Sequence, residues 1–128
     1  MRLLLDTHAL LWWAHEPEHL SPLALEAIGD PDNDMFVSAV SAMEIATKGR
    51  RGRLEYNSPL VDQFLPTIEE FGFLQLPVRC AHAQLGGSFM SANNDPWDRL
   101  LAAQAKLDNL ALISNDSKMD EFGISQFW

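Results

Sequence analysis

The sequence predicts an α/β protein whose parallel sheet is covered by helices on both faces. Three observations carry this. Short apolar runs alternate with helical stretches along the whole chain, the pattern of right-handed βαβ units. The first run, "RLLLD" at 2–6, is continuously apolar up to Asp6, as suits a central strand buried on both sides. Three dipeptides, Ser21-Pro22, Ser58-Pro59 and Asp95-Pro96, each put a capping side chain before a proline at a first helical position.

The elements follow in order. A strand at 2–5 leads to an apolar helix at 7–15, and Ser21-Pro22 opens a second helix. "DPDND" (30–34) is a turn. "MFVSA" (35–39) is the second strand and "VSAMEIATK" (40–48) the helix after it. Ser58-Pro59 is read as the start of a further helix, before the third strand, "FLQLPV" (73–78). A short helix near 80–86 precedes "GGSFMSANND" (86–95), the longest loop and the one expected to move. Asp95-Pro96 then begins a helix that ends before the fourth strand, "LALIS" (110–114), and "ISQFW" (124–128) closes the chain. No repeat, low-complexity segment or linker interrupts the 128 residues, so one domain, 1–128, is expected.

Composition narrows the function. Hydrophobic residues are 47% and charged ones 21%, a globular balance. No apolar run reaches the roughly 20 residues that cross a bilayer, so no membrane role is expected. Asp6 interrupts the N-terminal apolar patch and no small-residue cleavage site follows, which argues against a signal peptide. Cys80 is the single cysteine, so neither an intrachain disulfide nor a cysteine-based zinc site can form, and a cytoplasmic setting is expected. His8, His15, His19 and His82 have no zinc-ligand spacing and read as structural or exposed. The formal charge of −9 opposes nucleic-acid binding unless cations and a local basic patch offset it. The patch exists: "KGRRGRL" places Lys48, Arg50, Arg51 and Arg53 together. The same residues also suit a solvated helix end, where cations meet the helix dipole.

The acids carry the chemical question. Ligands of open α/β sheets collect beyond the carboxyl ends of the strands. Asp6 follows the first strand and Asp116 the fourth, so the two share a crevice if those strands are neighbours. Each alone also reads as a cap. With Asp95 as the cap of its helix, Asp98 falls on the apolar arc beside Leu101, Ala102 and Ala105, away from a wet side set by Arg99 and Lys106. A desolvated carboxylate there needs a partner: the first-turn N–H groups, or a cation in the crevice. Glu44 by spacing is a surface residue, paired i, i+4 with Lys48, and Ser41-x-x-Glu44 would be a capping box if the helix began at Ser41. Clustered carboxylates repel, and a hard divalent cation relieves them through oxygen ligands. Such an ion orients a phosphodiester and helps ionise water, with no Ser, Cys or His nucleophile.

Four segments together resemble the PIN-domain ribonucleases, and within them the VapC-type toxins of bacterial toxin–antitoxin pairs. They are "LLLDTHALLWW" (3–13), "VSAVSAMEIATKGRRGRL" (37–54), "DPWDRLLAAQA" (95–105) and "LISND" (112–116), in the family's order and spacing. The resemblance spans nearly the whole chain. It implies a PIN-like three-layer α/β/α fold with an open sheet of about five parallel strands. It implies Mg²⁺- or Mn²⁺-dependent RNA cleavage, a cognate antitoxin that fills the pocket, and a homodimer. By position, Asp6, Glu44, Asp98 and Asp116 are the four acids, both catalytic and metal-holding. Asp95 is a secondary candidate. So is Ser114, which stands where the family often has Thr. Lys48, Arg50, Arg51 and Arg53 would face RNA phosphates or the antitoxin. Ala102 replaces a larger residue common in the family, a change that touches packing and no ligand.

Two rival classes remain at this level. A phosphatase forming an aspartyl-phosphate needs Asp-x-Asp after the first strand, and Asp6-Thr7-His8 lacks the second acid. A non-catalytic metal- or protein-binding module with an acidic pocket is compatible with the same residues. No G-x-G-x-x-G follows any strand, which argues against dinucleotide binding.

Overall fold

The structure, a computed structural model, describes residues 1–128. Five parallel strands form one sheet: β1 (Arg2–Leu5), β2 (Asp34–Ser38), β3 (Leu74–Leu76), β4 (Ala111–Ile113) and β5 (Gln126–Phe127), in the order β3-β2-β1-β4-β5. The helices are α1 (Thr7–His15), α2 (Pro22–Gly29), α3 (Ala39–Arg50), α4 (Phe64–Glu70), α5 (Cys80–Ser88) and α6 (Pro96–Leu107). The strand β1 is central, with Leu4 opposite Phe36 of β2 and Leu112 of β4. Leu3 and Leu5 enter one core cluster and Leu4 the other, and all three are fully buried. Period-two alternation on a strand covered on both faces accounts for its unbroken apolar run.

The strand order has a direct consequence. From β1 the chain winds outward through β2 and β3, then returns to the other side of β1 for β4 and β5. The reversal falls between β1 and β4, the place where open α/β sheets bind ligands. The Asp6 N–H donates to Ile113 O at 3.1 Å, so Asp6 and the exit of β4 are adjacent.

Several boundaries differ from the sequence reading, each for a local reason. Ser58-Pro59 begins no α-helix. The Ser58 hydroxyl accepts from Leu60 N (3.1 Å) in a serine turn and also bonds His15 Nε2 (2.7 Å), and α4 starts only at Phe64. Helix α3 begins at Ala39 on the Ser38 cap, so Ser41 and Glu44 form no capping box. Pro77 cannot donate to a ladder, and β3 ends at Leu76. The 86–95 loop is shorter than read, because α5 continues to Ser88.

Arg99 departs most from expectation. It does not face water on a wet stripe but is half-buried, and its guanidinium donates to four carbonyls: Asn93 (2.8 Å), Gly86 (3.0 Å), Phe89 (3.0 Å) and Ser91 (2.9 Å). The segment expected to move is thereby tied to α6. Gly86 permits the approach: a Cβ there would sit 3.1 Å from Arg99 O. At the other end, fully buried His82 accepts at Nδ1 from Arg79 N (2.9 Å), so its Nε2–H donates to Asp108 Oδ2 (2.7 Å) just beyond α6.

Candidate functional site

A cleft of about 360 Å³ opens at the carboxyl ends of β1 and β4, and Asp6, Glu44, Asp95, Asp98 and Asp116 all line it. Each acid comes from a different structural situation. Asp6 is the N-cap of α1, its Oδ1 accepting from Ala9 N at 2.7 Å. Asp116 caps the 3₁₀ helix Ser117–Phe122, its Oδ1 accepting from Lys118 N at 2.9 Å. Asp95 caps α6 by accepting from Trp97 N at 2.8 Å. The capping reading of these residues therefore holds, and it coexists with a place in the cleft. A carboxylate has more acceptor sites than a single cap bond uses.

Asp98 stands in the first turn of α6 and finds a partner that spacing did not suggest. Asn93 Nδ2 donates to Asp98 Oδ2 at 3.0 Å. Glu44 is not a free surface residue. The Thr7 hydroxyl donates to Glu44 Oε1 (2.8 Å), so the buried Ser41 hydroxyl, 2.9 Å away, donates in turn to Thr7. Lys48 Nζ pairs with Glu44 Oε2 at 2.9 Å, as the i, i+4 spacing predicts. Ser114 is buried and its Oγ accepts from Asp116 N (3.1 Å).

The electrostatics reflect crowding. Burial raises the Asp6 pKa above 3.8, and the nearby Asp116 charge adds to it; the Ser114 hydroxyl, Ala9 N–H and His8 pull the other way. Burial also raises Asp98, offset by Asn93 and reinforced by Asp95, Asp116 and Glu44. Charges from four elements thus reach one another across the cleft.

The five acids offer only oxygen ligands, which suits Mg²⁺ or Mn²⁺; no thiolate lines the cleft, and His8 is its single imidazole. The acids line the cleft without closing into a tight shell. The one trio of ligand-type side chains with ligand atoms all within 4.8 Å is Glu16, Glu18 and His19, where His19 pairs with Glu16 at 3.2 Å. An open spread of carboxylates suits an ion that keeps part of its water, as Mg²⁺ does.

Of the basic patch, Lys48, Arg51 and Arg53 line the cleft, while Arg50 is exposed outside its lining. Sequence reasoning passed over Thr7, Asn93 and Arg99 as site residues. The Thr7–Glu44 and Ser41–Thr7 contacts span 37 and 34 residues, and no local signal marks them.

The chain matches the PIN domain family over residues 3–124. It is 30% identical over 118 residues to ribonuclease VapC22 of Mycobacterium tuberculosis, covering 91% of this chain and 88% of that protein. The fold is similar to a chain in the crystal structure of VapBC2 from Rickettsia felis bound to promoter DNA. There the TM-score is 0.66 at 15% identity, over 98% of this chain and 96% of that one. It is also similar to a chain of FitAcB from Neisseria gonorrhoeae, with TM-score 0.62 at 20% identity, over 100% of this chain and 97% of that one. Acids gathered at the sheet's reversal point and a match running nearly end to end agree: this chain belongs to the PIN-domain family and, within it, is similar to the VapC-type proteins.

Proposed function

We propose that the protein is a metal-dependent endoribonuclease and acts as the toxin of a toxin–antitoxin pair. One observation carries the reading. Asp6, Glu44, Asp98 and Asp116, spread across 111 positions of sequence, line a single cleft at the β1/β4 reversal, and burial and mutual repulsion raise Asp6 and Asp98. The name of the mycobacterial relative supports the substrate class.

In this reading Asp6, Asp98 and Asp116 hold Mg²⁺ or Mn²⁺ directly or through water. A bound divalent cation supplies charge neutralisation at the phosphodiester and a lowered pKa for water. The chain's own groups do the rest. Glu44, held by Thr7 and Lys48, orients the attacking water or adds a ligand oxygen. Ser114, bonded to Asp116 N, fixes the turn that carries Asp116 and steadies the Asp6 carboxylate. Lys48, Arg51 and Arg53 hold phosphates at the mouth. In-line hydrolysis leaves a 5′-phosphate and a 3′-hydroxyl. A cognate antitoxin occupies the same cleft to inhibit the enzyme, a second copy of the chain completes a homodimer, and the protein works in the cytoplasm.

The test is purified protein with total RNA, with and without Mn²⁺, beside Asp98→Asn. Cleavage that needs Mn²⁺ and disappears in the variant supports the reading. Metal binding without cleavage would instead favour a non-catalytic module with an acidic pocket.

A further inference from the structure

The acidic cleft does not end at its mouth. A second cleft of about 320 Å³ adjoins it, and His8, Lys48 and Arg53 line both. Its wall carries two half-buried aromatic residues, Trp12 and Tyr56. Neither ring is loose. The Trp12 ring lies 5.7 Å from that of His8 and 5.9 Å from that of Trp128, and Tyr56 stacks on His15 at 4.4 Å. Rings fixed by other rings give a contact surface that loses little entropy when something is laid on it.

The charges are ordered along this cleft. The cations Lys48 and Arg53 sit where it joins the acidic cleft, while Glu16 and Glu55 line the second cleft alone. Lys48 is paired with Glu44, but Arg53 makes no ion pair with any carboxylate of the chain. A phosphate is attracted to the shared end and repelled from the far end. Of the far carboxylates, Glu16 already pairs with His19 at 3.2 Å, and Glu55, which makes no ion pair, accepts N–H groups as Glu does from the exocyclic amine of cytosine. A planar face against aromatic rings, with an N–H edge toward carboxylates and a phosphate toward a free cation, describes a nucleotide.

Resting on the nuclease reading above, we propose that this second cleft is a nucleoside subsite. It holds the base next to the scissile phosphate against Trp12 and Tyr56, with the flanking phosphate on Arg53. A peptide segment is the competing occupant. The cleft is small and continuous with the acids, and its aromatic wall meets a cation where the two clefts join, which favours one nucleotide over a stretch of chain.

The test separates binding from cleavage. Affinities are measured by fluorescence anisotropy in Ca²⁺, a hard cation that offsets the cleft carboxylates, with RNA integrity checked on a gel, using a labelled RNA heptamer of mixed sequence and a set in which one abasic residue is moved position by position. The wild type is expected to lose about tenfold in affinity at one abasic position, the scale of a stacked base. Trp12→Leu and Tyr56→Leu, which remove the ring but keep an apolar side chain against the core, are expected to shrink that loss while their far-UV circular dichroism stays that of the wild type. If the wild type binds intact and abasic RNA alike at every position, the subsite is wrong and the cleft is left to a protein segment. If the variants weaken intact and abasic RNA equally, stacking is likewise refuted. The wild-type comparison decides even if a variant fails to fold. Cleavage with Mn²⁺ is scored separately: RNA held with a base-dependent affinity but never cut would sink the nuclease reading and leave the subsite standing.

Discussion

Asn93 Nδ2 donates to Asp98 Oδ2 at 3.0 Å, across the start of the helix that carries Asp98. The same amide reaches Lys118 O (3.3 Å), and Asn93 Oδ1 accepts from Asp95 N (2.9 Å), so one side chain ties the loop, α6 and the turn after β4 together. It orients one oxygen of Asp98 and leaves the other for the cleft. Asn93→Ala should lower RNA cleavage about 10- to 100-fold, the range for partners that orient metal-holding groups. Mn²⁺ binding measured without RNA should weaken in parallel. Unchanged Mn²⁺ affinity would make Asn93 a purely structural tie.

Arg99 fixes the loop that presents Asn93. Its four carbonyl bonds are charge-assisted, and Arg99→Ala leaves those carbonyls to find water. Urea unfolding should show a loss of about 3 kcal/mol. Arg99→Lys should recover little, because an ammonium cannot reproduce the planar fork. A loss below about 0.5 kcal/mol would mean that the clamp is not formed in solution.

Asp6 and Asp98 give the metal-free protein a pH dependence with a defined sign. Their folded pKa values lie above 3.8, so the folded state holds these protons more tightly than the unfolded chain. Stability from this source is complete below pH 3.8 and is lost as pH rises through the raised values. Ionising these two acids in the folded state therefore carries a cost that the unfolded chain does not bear. Asp6→Asn keeps an effective cap and should raise the Tm of the metal-free protein at pH 7 by roughly 3 °C. RNA cleavage should fall below detection in the same variant. Mn²⁺ should raise the Tm of the wild type and leave that of the variant nearly unmoved. A metal-free variant less stable than the wild type would contradict the burial cost assigned to the Asp6 carboxylate.

Arg51 and Arg53 line the acidic cleft and Arg50 does not. Single-stranded nucleic acid releases about 0.7 counterion per phosphate contact. The doubly neutralised variant Arg51→Ala, Arg53→Ala should reduce the slope of log affinity for RNA against log salt by roughly 1.4. Arg50→Ala should leave it within error. An unchanged slope in the double variant would remove both arginines from the RNA interface.

Much of this molecule is local, and the local part was legible. The unbroken Leu3–Leu5 run marks a strand with no wet face, and Asp95-Pro96 marks a helix start, because burial and capping act within a few residues. Asp6 and Asp116 could be placed at strand ends for the same reason. Local reading failed where a neighbour in space outbid propensity. Ser58-Pro59 looks like a cap, but His15 and a serine turn hold the hydroxyl. Arg99 looks like a solvent-facing charge, but the returning loop offers it four carbonyls. The opposition of Glu44 to Thr7 and of Asn93 to Asp98 is likewise invisible along the chain. The sequence by itself determined the five strands, the helix starts at Ser21-Pro22 and Asp95-Pro96, and the family. Only the tertiary structure decided that β1 and β4 are neighbours, and so that those acids meet, because strand order depends on how the whole sheet buries its two faces.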